Sequence, residues 1–244
     1  MNLKKNRLSL NKYQKIELVR MLGLNTEENI LINSTDNDDI DRLAAFGHEH
    51  NLKQVSIRTM STGESLETPH YPTVNGSEIW DIIEYVTSKG LVAIVATCID
   101  PSYARLAGAI WKKDKVYSGE LAIGPHTVRR VTRDGIVDIS FEYFHWNDLL
   151  TITVGRSSLS RPELGMVRTM IDECTKIPFS KCLIELSYYS IPVGWNKQNV
   201  IIWDIDSDGS EESTQEIEFY YHSQKNDLPT ILNQTGDDNE IHDS

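Results

Sequence analysis

Apolar positions recur at helical spacing in four stretches of the chain and alternate or run together in most of the remainder. Tyr13, Ile16, Val19 and Leu22 fall on one helical face. Asn11 is placed to cap that helix, with Gln14 three residues on and Gly23 at its end. A second helix opens near Asp36 and carries Ile40, Leu43, Ala44 and Gly47. A third runs from Ser77 through Ile79, Ile82, Ile83 and Val86 to Gly90. A fourth starts near Ser160 with Pro162 in its first turn, and carries Val167, Met170, Ile171 and Cys174.

Strands fill the rest. Val55–Thr59 and Leu91–Ile99 flank the third helix, and the second of these is a continuous apolar run, as in a strand covered on both faces. Leu106–Trp111 and Val116–Ile123 are joined by a KKDK turn, and Val128–Arg133 and Ile136–Tyr143 by Asp134–Gly135, so both pairs are expected to be hairpins. Cys182–Tyr188 and Val200–Asp206 close the folded body. Residues 207–217 are polar and acidic and read as a mobile loop, Ile217–His222 as one more strand, and the last ten residues as a disordered tail. This order predicts an α+β protein with a largely antiparallel sheet.

Charge sharpens the division. The net charge is −12, yet residues 204–244 hold twelve acids and one base, Lys225, whereas residues 1–203 hold 24 acids and 23 bases. A nearly neutral body does not make a generally basic nucleic-acid binder, so nucleic acid is not expected as a partner. The longest apolar run, Leu91–Ala96, is far short of the roughly 20 residues of a membrane span, and the opening MNLKKNRLSL has no apolar stretch. Three cysteines, Cys98, Cys174 and Cys182, form no CxxC pair and read as packing residues. A soluble protein of a reducing cytoplasm, without a membrane partner, is the expectation.

Chemistry concentrates in the closing hairpin. Alternation in VIIWDID puts Val200, Ile202, Asp204 and Asp206 on one face, and Glu185 sits among apolar neighbours on the preceding strand. If the strands pair, three carboxylates converge, and a divalent cation relieves their repulsion; hard oxygen ligands suit Mg²⁺. The alternative is that Asp206 only opens the acidic loop and Glu185 faces solvent. Arg58 precedes the small-residue loop Ser61–Glu64, either as a phosphate-holding cation or as an ordinary edge arginine. Arg129, Arg130 and Arg133 place positive charge on both faces of their expected strand. His48 and His50 read as surface residues, and His126 and His145 have no nameable partner. No P-loop, G-x-G-x-x-G, G-x-S-x-G or H-E-x-x-H is present.

From Val55 to Asp206, about 150 of the 244 residues, the order of pieces resembles the ATP-grasp superfamily. VSIRT, STGES, the Ser77–Ser88 helix and LVAIVATCID stand where that family has a phosphate-binding basic residue, a small-residue loop, a helix and the adenine hinge. AGAIW, YSGELAIG and TVRRVT resemble its central sheet, and LNKYQKIELVRMLGL with NILINS resembles its lead-in. The resemblance implies that Arg58 takes the place of a phosphate lysine and that the backbone of Thr97, Cys98 and Ile99 receives adenine. It implies that Glu185, Asp204 and Asp206 hold magnesium, with Asp replacing both Glu and Asn of the family's second strand. The expected architecture is two lobes around a nucleotide cleft. Residues 1–54 would be a helical lead-in, 55–100 a nucleotide-binding lobe, 101–206 the central sheet and metal lobe, and 207–244 the acidic segment. The implied function is an ATP- and Mg²⁺-dependent ligase joining a carboxylate to an amine or thiol through an acyl phosphate, with a small-molecule substrate. The alternatives are a non-catalytic nucleotide- or partner-binding protein and, more remotely, a nucleic-acid-processing enzyme.

Overall fold

The computed structural model describes residues 8–50, 53–61, 68–125, 128–155 and 159–227. Asn11 caps α1 (Lys12–Met21) through a reciprocal box: Asn11 Oδ1 accepts from Gln14 N at 3.0 Å, and Gln14 Oε1 accepts from Asn11 N at 2.8 Å. β1 (Asn29–Ile32) follows, then α2 (Asn37–Glu49), capped by Asp36. β2 (Gln54–Ser61) and β3 (His70–Asn75) lead through a 3₁₀ turn into α3 (Ile79–Ser88) and β4 (Leu91–Thr97). These strands form an antiparallel sheet in the order β1-β4-β2-β3. One face of it, with Ile32, Val55, Ile57, Ala93 and Val95, packs on Leu43 and Phe46 of α2 and Ile83 and Val86 of α3.

The second sheet begins with β5 (Ala104–Lys113) and β6 (Val116–Ile123), and the short α4 (Arg129–Thr132) follows. Next come β7 (Ile139–Phe144), β8 (Leu149–Gly155), α5 (Arg161–Thr175), β9 (Lys181–Val193), β10 (Gln198–Asp206) and α6 (Glu211–Asp227). Six antiparallel strands run in the order β10-β9-β5-β6-β7-β8. One face carries the larger core, in which Leu106, Ile110, Ile184, Leu186 and Ile202 meet Leu18 and Val19 of α1, Val167 and Met170 of α5, and Ile217 and Tyr221 of α6. The strands approach so closely that a Cβ at Gly119 would lie 2.2 Å from the Phe141 ring. Among the described residues, no helix is long and apolar enough to cross a membrane.

The α+β class and the antiparallel pairing agree with the sequence pattern, and several elements differ from it. Residues Val128–Arg133 are not a strand. Arg129–Thr132 turn as α4, and Gly135 at φ +66° ends that turn instead of making a hairpin. The edge of β6 is filled by β7, which pairs onward with β8, a strand the pattern did not mark. Ile217–His222 is helical, within α6. Ser213, Ile217 and Tyr221, spaced four apart, are buried, while Phe219 points outward at 76% exposure. Tertiary anchors hold that helix: Ser213 Oγ donates to Lys181 O at 2.6 Å, and Tyr221 Oη donates to Glu17 Oε2 at 2.6 Å. α1 joins the larger core, while β1 and α2 join the smaller sheet. The expected tail, most of the Ser61–Glu64 loop and His126 lie outside the described residues.

Candidate functional site

The closing hairpin carries an irregularity that the alternation rule misses. Ile202 pairs with Leu186 and Asp204 with Glu185, so Trp203 is one extra residue in β10. Val200 and Ile202 therefore face the larger core, while Asp204 and Asp206 project from the opposite face with Glu185, which corrects the single shared face expected for all four. Asp204 and Glu185, directly opposed on adjacent strands, have Cβ atoms about 5 Å apart in ordinary sheet geometry. Trp203 lies over the same face, with Nε1 donating to Ser187 Oγ at 2.9 Å.

Two lysines from α1 reach these acids. Lys12 Nζ lies 3.0 Å from Asp204 Oδ2, and Lys15 Nζ lies 2.7 Å from Asp206 Oδ2 and 3.4 Å from Asp204 Oδ1. Burial alone lowers the Lys15 pKa, but Asp204 and Asp206 outweigh it and the net shift is upward. Glu185 is raised above the ordinary carboxylate value by burial and then by Asp204, while Lys12 and Lys15 partly offset this.

The resemblance implies a divalent cation at this strip. The donor set is hard oxygen, and the buried Asp204 Oδ1 accepts no hydrogen bond, so the residues fit such an ion chemically. Among the described residues, however, no three His, Cys, Asp or Glu side chains converge closely enough to hold one.

Arg58 projects from β2 toward the same region. Its Nη1 donates to Oε1 of Glu27, a carboxylate that is 3% exposed, and its guanidinium carbon lies 6.0 Å from the centre of the Trp203 ring. The smaller sheet thus meets the β10 bulge through one cation, beside Asp204. His70 pairs with Arg58 across β3 and β2, and its pKa is lowered by partial burial and then by the charges of Arg58, Lys12 and Arg133. Basic groups from α1, β2 and the end of α4 therefore share one neighbourhood, although Arg129, Arg130 and Arg133 are not aligned on a strand.

Thr97, Cys98 and Ile99, the segment leaving β4, line a cavity of about 490 Å³ with Asp100, Tyr103 and Glu28. Thr97 N donates to Glu28 O at 2.9 Å. Glu28 is held by His50 Nδ1 at 2.7 Å and Lys197 Nζ at 2.6 Å, so His50 is a paired lining residue and not a loose surface group. Burial pushes the Tyr189 hydroxyl up to about 12, and Cys98, Asp100 and Glu27 add to the shift.

Residues 24–29 form a buried strap that fastens both lobes. Asn25 Nδ2 donates to Val193 O at 2.9 Å and Val200 O at 2.8 Å, and its Oδ1 accepts from Asn196 N at 2.8 Å. Gly194, at φ +75°, packs so close to Asn25 and Thr26 that a Cβ would sit 2.6 Å from Thr26 O. Lys12, Lys15, Glu27, Glu28 and Trp203 were not singled out from sequence. Their roles depend on partners 22 to 192 positions away or on a strand register, and no local motif marks them.

No family model matches the sequence, and no curated protein matches it. Solved structures do. They include the D-alanine–D-alanine ligase from Coxiella burnetii, 11% identical over 88% of this chain and 58% of that one, with a TM-score of 0.44. D-cycloserine synthetase DcsG is 10% identical over 88% of this chain and 70% of its own, at TM-score 0.43. The ATP-grasp ligase PsnB, complexed with minimal precursor, is 9% identical over 88% and 60%, at TM-score 0.39. The chain therefore spans less than two thirds of the Coxiella ligase's length. In fold the chain is α+β, with two antiparallel sheets and flanking helices.

Proposed function

We propose that the chain is an ATP-dependent ligase that joins a carboxylate to an amine or thiol through an acyl phosphate. The observation that supports this reading is the approach of Arg58 to Trp203, the residue next to Asp204, which brings a cation of the smaller sheet near the carboxylates of the larger one. In this reading the backbone of Thr97, Cys98 and Ile99 receives adenine, next to the cavity they line. Arg58 exchanges part of its contact with Glu27 for phosphate oxygens, and Lys12 and Arg133 add positive charge around them. A substrate carboxylate oxygen attacks the γ-phosphorus, the bond to the bridging oxygen breaks, and ADP leaves. An amine or thiol then attacks the acyl carbon, releasing inorganic phosphate and a proton. The chain's contribution is to position the reactants and stabilise the charge moving onto ADP. For Glu185, Asp204 and Asp206 to hold Mg²⁺, which would neutralise phosphate charge, the three carboxylates would have to draw together and part from Lys12 and Lys15.

Thermal stability measured with ATP, with Mg²⁺ and with both tests the reading. A ligand at 100 times its Kd stabilises the native state by about 2.7 kcal/mol. For a chain of this size that is roughly 5–10 °C in Tm. MgATP is expected to raise Tm in the native chain and much less in Asp204→Asn. No shift at millimolar MgATP would sink the proposal.

The engagement of Asp204 and Asp206 by lysines, and of Arg58 by Glu27, favours a second reading, a non-catalytic nucleotide- or partner-binding protein whose site is internally neutralised. Stabilisation by MgATP without ADP release from any pooled carboxylates and amines would select it.

A further inference from the structure

The cavity beside the segment leaving β4 holds about 490 Å³, within the range of about 300–1,000 Å³ usual for small-molecule sites. Both lobes wall it: His50 and Lys53 come from the smaller, Ile191 and Lys197 from the larger. Side-chain alternation separates it from the place given to phosphate. Val55 and Ile57 pack on α2 and α3 from one side of β2, whereas Arg58 points from the other side to Trp203. Thr97 stands opposite Val55, and His50 closes the C-terminal end of α2. The polar wall of the cavity therefore lies on the helix side of the smaller sheet, and a phosphate at Arg58 on the other.

The groups on this wall are complementary to an anion. Its two acids are already engaged: Glu28 Oε2 and Oε1 are held by His50 and Lys197, and Asp100 Oδ1 accepts from Ser102 N at 2.8 Å. Donors are what remains. Among the described residues the Lys53 ammonium meets no acid, and the Lys197 ammonium, with three protons, directs one at Glu28. Beside them lies uncovered apolar surface, with Tyr103 42% and Ile191 40% exposed next to Ile99, Pro192 and Val193. We infer that this cavity is a second ligand site for a small organic carboxylate with an apolar body. Lys53 and Lys197 hold the carboxylate, and the body lies on Ile99, Ile191 and Val193. Inorganic phosphate brings no apolar body, and an amine finds no unengaged acid there. The inference goes beyond the proposed function and requires neither nucleotide nor metal.

The test is calorimetric titration of the full chain with benzoate, acetate, benzyl alcohol and inorganic phosphate, each alone. Benzoate is expected to bind. Acetate and benzyl alcohol, each carrying half of the recognised chemistry, should bind at least about tenfold more weakly. Lys53→Gln and Lys197→Gln should each weaken benzoate roughly tenfold, through loss of one charge-assisted contact. Ile191→Trp, at a half-exposed position, should fold and block the cavity. Arg58→Gln should leave benzoate affinity unchanged, because Arg58 lies on the other side of the sheet. Circular dichroism on each variant separates lost binding from lost fold. No benzoate binding at millimolar concentration, phosphate binding as tightly as benzoate, undiminished binding in Ile191→Trp, or a loss in Arg58→Gln equal to that in Lys197→Gln overturns the inference. Neither ATP nor Mg²⁺ enters the titration, so its failure is separable from a failure of MgATP to stabilise the native chain.

Discussion

Asp204 stands opposite Glu185 because Trp203 is an extra residue in β10, so that Trp203 and Asp204 both turn to the cleft face while Ile202 and Ile205 stay in the core. A regular strand would have sent Asp204 inward. Deleting Trp203 therefore leaves the pairs on either side in register, with both acids still in the cleft. The deletion variant should fold, at a loss of about 2–4 kcal/mol for the missing indole. Deleting Ile205 instead drives Asp206 into a core-facing place and should abolish folding. Soluble yield and circular dichroism separate the two variants, and an unfolded Trp203 deletion would refute the bulge assignment.

Asn25 is 1% exposed and satisfies three backbone groups of the β9–β10 hairpin with one side chain. Asn25→Ala leaves those groups without their partner in a place water does not reach. The expected loss is about 2–4 kcal/mol, read as a lower urea midpoint with an unchanged slope.

His70 titrates lower in the folded chain than in the unfolded one, through partial burial and then Arg58, Lys12 and Arg133. As pH falls below 6.5 the unfolded chain gains a proton that the folded chain resists, so stability present above that pH is lost until the lower folded pKa is crossed. His70→Gln removes this loss. Melting curves at pH 7, 6 and 5 should show the variant losing less than the native chain, and a native-minus-variant difference independent of pH would contradict the assignment. Tripolyphosphate, by countering the same three cations, should shrink the native chain's loss.

The reciprocal cap of α1 was legible because both halves of its signal, Asn11 and Gln14, lie within four residues. The α+β class also followed from local pattern. The bulge did not, since an extra residue is visible only against the partner strand's register. Residues 217–222 fit either periodicity locally, and only the burial of Ile217 and Tyr221 against α1 and α5 decides for helix. No local pattern marks Lys12 and Lys15, because the acids they meet lie 189 or more positions later.

Burial holds the thiols of Cys174 and Cys182 well up, the latter to about 12, whereas Cys98 is half-buried in the segment proposed to receive adenine. A thiol reagent at pH 7 should label Cys98 in the native chain and all three cysteines in urea. MgATP should slow Cys98 labelling. Equal labelling rates with and without MgATP would count against adenine at this segment.

The buried strap has a mechanical meaning. The chain passes between the two lobes twice, once at residues 24–28 and once at 98–103, and the two passages are stitched together where Thr97 N donates to Glu28 O. A single linker lets two bodies tumble about each other. Two linkers bound side by side act like a pair of door pins and leave one axis of swing. Glu27, within the first of these passages, also ties Arg58 of the smaller sheet to the double link.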